Sequence, residues 1–486
     1  MYLGIDLGTS GVKLLLVDSC GKLINSHAEA YPIYYSNDNW SEQNPIDWWE
    51  QTKSGIQILL KDFDKSLIKG ISFGGQMHSL VMLDDKNDVI RPAILWNDGR
   101  CQNQTDFLNN VIGKDTLVKF TGNIAFAGFT APKILWVKEN EYTNFEKIKM
   151  ILLPKDYLAF KFSGVFSTDY SDAAGTLLLD VENKKWSKEM CDIVGVSFEQ
   201  LPRLYESYDV VGTIKKEIAE ELGLPCDTKI IAGAGDNAAA AVGTGCVKNG
   251  SCNVSLGTSG TVFISNDKYV SDSEIPIHSF NHANGQYHLM GCILSAASCN
   301  KWWVEDVLQS NHNLEQADIE QYVGKNNVYF LPYLMGERCP HNDTNAKAAF
   351  IGMRSNTTRG ELTLSVLEGV AFALKECLEI VENKGINISR ATLCGGGAKS
   401  LLWANVIANI FNKPLDFVET EQGPGFGAAI LAMVGCGEYP SVEEACSNII
   451  KVTKTIYPND ATANLYNDKF IKYKSLYKYL KDFYNN

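Results

Sequence analysis

The chain has no pair of cysteines at C-x-x-C spacing, although it carries thirteen cysteines, and its seven histidines show no ligand spacing beside them. A zinc site is therefore not expected. So odd and scattered a set, from Cys20 to Cys446, reads as free thiols in a reducing cytoplasm and not as a disulfide framework. No apolar run approaches the ~20 residues that a bilayer-spanning helix needs, so no membrane association is expected. Basic runs are missing too: 44 Lys and Arg stand against 57 Asp and Glu, a formal net charge of −13. Nucleic acid is then a poor partner, because neutralising its phosphates takes clustered cations. An acidic total does not exclude small anions, which helix N-termini and loop amides hold locally. The opening MYLGIDLGTSGVKLLLVD lacks the charged stretch, apolar core and cleavage site of a targeting signal and reads as folded structure.

What the chain does have is a globular composition, 45% hydrophobic and 21% charged over 486 residues, a length for two or three domains. It also has an internal echo. Leu7-Gly8-Thr9-Ser10-Gly11 recurs as Leu256-Gly257-Thr258-Ser259-Gly260, about half the chain later. Each copy lies between β-type runs, Tyr2–Ile5 and Val12–Val17 around the first, Cys252–Ser255 and Thr261–Ile264 around the second. Both predict a hairpin whose tight Gly turn presents backbone N–H groups. Two such turns predict two similarly built halves.

Elsewhere strands alternate with helices, which predicts an α/β architecture with ligand loops at strand ends and in the cleft between domains. Ile71–Phe73 and Lys229–Ala232 read as short buried strands, and Asp236 reads as the N-cap of an Ala-rich helix. Thr358 and Glu361 form a capping-box pattern ahead of an apolar helical face through Leu362, Val366, Leu367, Val370, Ala371 and Leu374. That helix is expected to stop near Lys384-Gly385, and Ala391–Leu393 to be a strand entering Gly395-Gly396-Gly397-Ala398. The Lys- and Tyr-rich segment from Lys451 to Asn486 reads as a surface-packed C-terminal helix, with no function assigned.

Four constellations carry chemistry. In the first, Gly8 lets the backbone approach an anion, Thr9, Ser10 and Lys13 add donors, and Asp6 at the strand end suits Mg²⁺ through water. Its second copy, Gly257, Thr258 and Ser259, would close a clamp on one nucleotide. Next is Asp236-Asn237, where an Asp at a strand end opening a helix accepts a proton from a substrate hydroxyl, orienting the alcohol and taking its proton late. Third, Gly396, Gly397 and Ala398 give the flexible turn that a flat adenine or ribose needs for close approach, although the spacing is neither a Walker A nor a dinucleotide pattern. Finally Gln76, Met77 and His78 follow one buried strand and Trp96 and Asp98 follow another apolar run, a mixture of polar and apolar groups suited to a polyol.

Over nearly its whole length the sequence resembles the FGGY carbohydrate kinases, and within them the xylulokinase branch. Gly4–Ser10 and Ser255–Gly260 are similar to that family's two phosphate motifs, and 395–399 to its adenosine motif. The stretches 75–78, 95–100, 153–158, 168–173 and 332–338 are similar to ones typical of the branch. Two departures are Ser79, where many of the branch carry Gly, and Ala234, which interrupts a Gly run. The resemblance implies two actin-like (ribonuclease H-like) domains, at 1–245 and 246–486, closing on ATP and sugar. It implies Asp236 as catalytic base, Asp6 with Asp236 at Mg²⁺, and Met77 and His78 on the ketose. D-Xylulose is the expected substrate, with another ketose or polyol such as ribulose as runner-up, and a homodimer is an assembly left open. Two readings from other classes compete. A non-catalytic sugar sensor would not need both Asp6 and Asp236, and a protein-directed actin-like ATPase would not need the loops at 75–78 and 95–100.

Overall fold

A computed structural model describes residues 1–420 and 422–484. The first half is built on a seven-stranded mixed sheet. Its strands are β1 (Tyr2–Leu7), β2 (Gly11–Val17), β3 (Leu23–Ala30), β4 (Gly70–Gly75), β5 (Val210–Thr213), β6 (Lys229–Ile231) and β7 (Ala234–Gly235). They run in the order β5-β6-β4-β1-β2-β3, with β7 beside the far end of β4. The second half repeats the plan with β8 (Cys252–Leu256), β9 (Gly260–Asn266), β10 (His278–Asn281), β11 (Tyr287–Ile293), β12 (Ala391–Cys394), β13 (Leu415–Val418) and β14 (Val452–Ile456). Here the order is β10-β11-β9-β8-β12-β13-β14. In each sheet the leading hairpin and the strand beside its second arm pair antiparallel, two strands join parallel on the other side, and the edge strand beyond them is antiparallel. The repeated pentapeptides are the turns of the two leading hairpins, so the echo in the sequence is an echo in topology.

Eight helices position the site or the halves: α1 (Pro45–Leu59), α2 (Pro154–Ser163), α3 (Tyr170–Ala173), α4 (Asp236–Gly243), α5 (Arg359–Glu382), α6 (Leu401–Phe411), α7 (Pro424–Gly435) and α8 (Asp460–Tyr484). The capping box forms as the sequence predicts: the Glu361 N–H donates to Thr358 Oγ1 at 3.2 Å and the Thr358 N–H to Glu361 Oε2 at 2.8 Å. Past the end of α5, Gly385 takes φ +84°, a left-handed turn that glycine enters at no steric cost. Asp236 departs from its expectation. Gly235 is the N-cap of α4 and no side chain caps it, so Asp236 is the first helical residue with its carboxylate free for other partners.

α7 is apolar almost all round because it is covered on both sides. It packs Phe426, Ala429, Ile430 and Met433 among Tyr2, Leu15, Val17 and Ala239 of the first half. The approach is backbone on backbone: a Cβ on Gly4 would lie 2.0 Å from the Gly425 carbonyl oxygen, and one on Gly427 1.8 Å from that of Ala239. A helix from the second half thus packs across the expected division at 245/246 and covers the first sheet. The C-terminal segment also differs from its expectation. It begins with the edge strand β14, and α8 drives Tyr466, Phe470 and Tyr473 into the second core. There the buried Glu368 of α5 accepts from Lys469 at 2.7 Å and from Tyr466 at 2.8 Å. Asn485 and Asn486, also part of that expectation, lie outside the described residues. Among the described residues no helix is long and apolar enough to cross a membrane, and all thirteen cysteines are unbridged.

Candidate active site

Strand register brings the first two acids together. Asp6 of β1 and Ala234 of β7 both pair with Gly74 of β4, from opposite sides, and Asp236 follows two residues beyond Ala234. Both carboxylates thus sit at the carboxyl ends of parallel strands, where open α/β sheets gather their ligands. Burial pushes the Asp6 carboxyl up, repulsion from Asp236 adds to this and Lys13 partly offsets it, leaving it at about 7. Burial likewise lifts Asp236 to about 6, against the Asn237 backbone N–H that stabilises its charge. The Asn237 amide holds Asp236 Oδ1 at 2.9 Å.

The sugar-loop residues continue directly from β4. Met77 packs on Gly235, where a Cβ would stand 2.9 Å from its sulfur. His78 has φ +71°, an uncommon conformation for a side-chain-bearing residue, of a kind that concentrates at functional sites. Its Nδ1 lies 2.7 Å from the Gly175 carbonyl oxygen. A carbonyl only accepts, so Nδ1 carries the proton and Nε2 is left as an acceptor. Burial drives the imidazolium down to about 3, which keeps the ring neutral. Phe129 stacks on it at 4.7 Å between centroids, and Phe280 of β10 lies at 6.2 Å.

The first phosphate turn is braced from below. Gly8 N–H donates to the Gly11 carbonyl at 3.0 Å, Tyr31 donates to the Gly8 carbonyl, and Gln43 Nε2 to that of Thr9 at 2.6 Å. Two residues expected on the sugar belong to this brace. Trp96 Nε1 donates to Thr9 Oγ1 at 2.9 Å, and Gln76, buried, donates to Gln43 Oε1 at 3.0 Å. Asp98 also departs from a sugar-facing role. It is 2% exposed, with its oxygens taken by the Ser41 N–H at 2.6 Å and by the Arg100 guanidinium at 2.8 and 2.9 Å. Ser79 is fully buried beside the sugar loop.

In the second half, Thr258 faces a cavity of about 1060 Å³ whose far wall includes Gly396, Gly397 and Lys399. The turn of Gly257, Thr258 and Ser259 is held by the next segment: the Ala296 and Ala297 N–H groups donate to the Thr258 and Gly257 carbonyls at 2.9 and 2.8 Å. Ala398 does not line the cavity; it is buried at 3% exposure in the second core. A smaller cavity of about 310 Å³ reaches from Gly395 to Asp236 and Asn237. The 395–397 turn thus walls both spaces, one at Asp236 and one large enough for a nucleoside.

Among the described residues no group of three or more His, Cys, Asp or Glu forms a metal cage. Two converging carboxylates still fit Mg²⁺, which takes one or two protein oxygens and completes its shell with water and phosphate. Tyr31, Gln43, Gly175, Phe129 and Phe280 escaped the sequence reading, because each comes from a distant segment and carries no local pattern.

Comparison with known proteins agrees with this arrangement. The N-terminal domain model of the FGGY family of carbohydrate kinases matches residues 1–243, and the C-terminal domain model matches residues 252–436. The chain is 39% identical to a xylulose kinase of Bacillus subtilis (strain 168), over 99% of this chain and 97% of that one. It is 40% identical to a xylulose kinase of Escherichia coli (strain K12), over 91% and 92%. A crystal structure described as a xyloylose kinase from Brucella ovis superposes with a TM-score of 0.95 at 38% identity, covering 99% of both chains. Two matching sheets, two acids at neighbouring strand ends and a nucleoside-sized cavity beside the second phosphate turn are accounted for together: the chain belongs to the FGGY family of carbohydrate kinases.

Proposed function

We propose that this carbohydrate kinase transfers the γ-phosphoryl group of ATP to the terminal 5-hydroxyl of D-xylulose. The observation that carries the reading is the meeting of Asp236, Asn237, Met77 and Asp6 at adjoining strand ends, with His78 following in the same loop. The names of the relatives supply the sugar. Asp236, with a carboxyl at about 6, is mostly ionised at neutral pH and accepts the proton of the attacking hydroxyl as transfer proceeds. Asn237 fixes one oxygen of that carboxylate, so the other is the one offered to the alcohol. Neutral His78 accepts from a sugar hydroxyl through Nε2, and Met77 gives the apolar floor. Thr9, Ser10 and Lys13 on one side and Thr258 on the other bind phosphate oxygens, while Gly396 and Gly397 leave space for the nucleoside. Asp6 and Asp236 would hold Mg²⁺, which neutralises charge on the phosphate oxygens when bound. Closing the cleft excludes water and suppresses idle hydrolysis.

Kinetics on D-xylulose, D-ribulose and related polyols, with phosphorus NMR of the product, test the proposal. The highest kcat/KM on D-xylulose with a phosphomonoester on C5 is expected; a higher value on another sugar overturns the substrate. A cytoplasmic location and a homodimer accompany the reading, and light scattering at a monomer mass would remove the dimer.

A further inference from the structure

The stretches 153–158 and 168–173 border neither cavity described above, yet they meet in a charged cluster with no exposure. Lys155 Nζ lies 2.7 Å from Asp156, 2.8 Å from Asp169 and 3.7 Å from Asp172, and all four residues are buried. One cation among three carboxylates is a poor stabilising device, because desolvating ions offsets their attraction and an apolar core serves as well. What the cluster touches gives it a purpose. Lys155 reaches the Ala232 carbonyl at 3.5 Å, and its Cβ closes on Gly75, where an added Cβ would lie 2.8 Å away. Asp169 Oδ2 accepts from Ser171 Oγ at 2.5 Å, from the Ser171 N–H at 2.9 Å and from Ser207 Oγ at 2.7 Å. A hydroxyl has one proton. Ser171 gives it to Asp169, which turns its lone pairs toward the Gly235 N–H, 3.1 Å away. Gly235 is the uncapped entry to α4, and the next residue is Asp236.

We infer that Ser171, oriented by Asp169 and Lys155, is a positioning residue for Asp236: it fixes the peptide from which the catalytic carboxylate projects. The inference rests on the reading of Asp236 as proton acceptor. Steady-state kinetics and thermal unfolding of the full chain with D-xylulose and ATP test it, on Ser171→Ala, Ser171→Cys, Ser207→Ala and Asp236→Asn. Ser171→Ala and Ser207→Ala each remove one donor from the same Asp169 oxygen, but only Ser171→Ala also strips the acceptor from the Gly235 N–H, and thermal unfolding of each variant separates loss of fold from loss of turnover. The expected result is a kcat for Ser171→Ala lowered about tenfold or more, with both KM values within about twofold of the parent. Ser207→Ala keeps its kcat within about twofold, and Ser171→Cys, the closest in shape, falls between. An unchanged kcat in Ser171→Ala overturns the inference, as do equal losses in both alanine variants. Should Ser171→Ala not fold, the comparison of Ser171→Cys with Ser207→Ala decides in the same way. Full turnover by Asp236→Asn sinks the underlying reading instead, so the two failures are told apart.

Discussion

Replacing Gly427 by alanine disturbs a helix that touches the supports of both acids. α7 lies against β1, which carries Asp6, and crosses α4, which carries Asp236. A Cβ at 427 would sit 1.8 Å from the Ala239 carbonyl oxygen and 3.1 Å from the Gly243 N–H, whereas real Cβ contacts essentially never fall under 3.0 Å. The obstacle is backbone, not the far end of a flexible side chain, so the two helices must separate by about 1 Å or more. Overpacking of this kind costs about 1–3 kcal/mol. For a domain of this size that lowers Tm by about 2–12 °C. Ala239 is three residues from Asp236, in the first turn of the same short helix, so the shift reaches the carboxylate with little loss. A misplacement near 1 Å lowers turnover about a hundredfold. The assay is thermal unfolding beside kcat for ketose-dependent ADP release. Gly427→Ala with the parent's Tm and kcat would refute the reasoning, because it would mean that α7 is free to slide and does not set the position of α4.

Two further outcomes follow from burial and charge. Lys469→Met leaves Glu368 buried without its cation and holding only Tyr466 and Asn326, which costs about 3–5 kcal/mol in urea unfolding, while a Glu368→Leu/Lys469→Leu pair recovers most of the loss. Lys469→Met costing under about 1 kcal/mol would show that α8 is not anchored there. Asp236 must be ionised to take a proton, so kcat/KM falls as pH drops through about 6, and no separate His78 limb lies between pH 5 and 8, because that ring titrates at about 3. In the ligand-free protein Asp6 and Asp236 titrate above the ordinary 3.8, so the folded state binds their protons more tightly and this contribution to stability is lost as pH rises through about 6 to 7. Asp6→Asn flattens that part of the Tm profile.

The repeated pentapeptide was legible because a tight Gly turn between two β-rich runs is a local signal, and the two copies imply matched halves. The capping box at Thr358 was legible for the same reason. Asp236 was found as proton acceptor, but its second reading as a cap came from composition, an Asp before an Ala-rich helix, whereas Gly235 takes the N-cap position. Asp98 has the polarity of a sugar contact, but Ser41 and Arg100 take its oxygens, and Trp96 gives its indole N–H to Thr9 while its ring stays exposed; neither partnership leaves a trace in local pattern. Ala398 fails through geometry finer than the motif, since it is buried in the second core while Gly396 and Gly397 line the cavity. The C-terminal segment misled through composition: its Lys and Tyr suggested solvent, while Lys469 and Tyr466 are spent on a buried carboxylate that lies about a hundred residues away in sequence. Long-range partners of this kind also explain why the Lys155 cluster could be noticed only as a resemblance and not as a device.

The most direct test of the central claim is ADP release by the purified protein with Mg²⁺-ATP and D-xylulose, run beside Asp236→Asn with its fold checked by thermal unfolding. The account predicts rapid sugar-stimulated release in the parent and its near abolition in a folded Asp236→Asn. Equal rates in the two proteins, or no stimulation by any ketose or polyol, would contradict it.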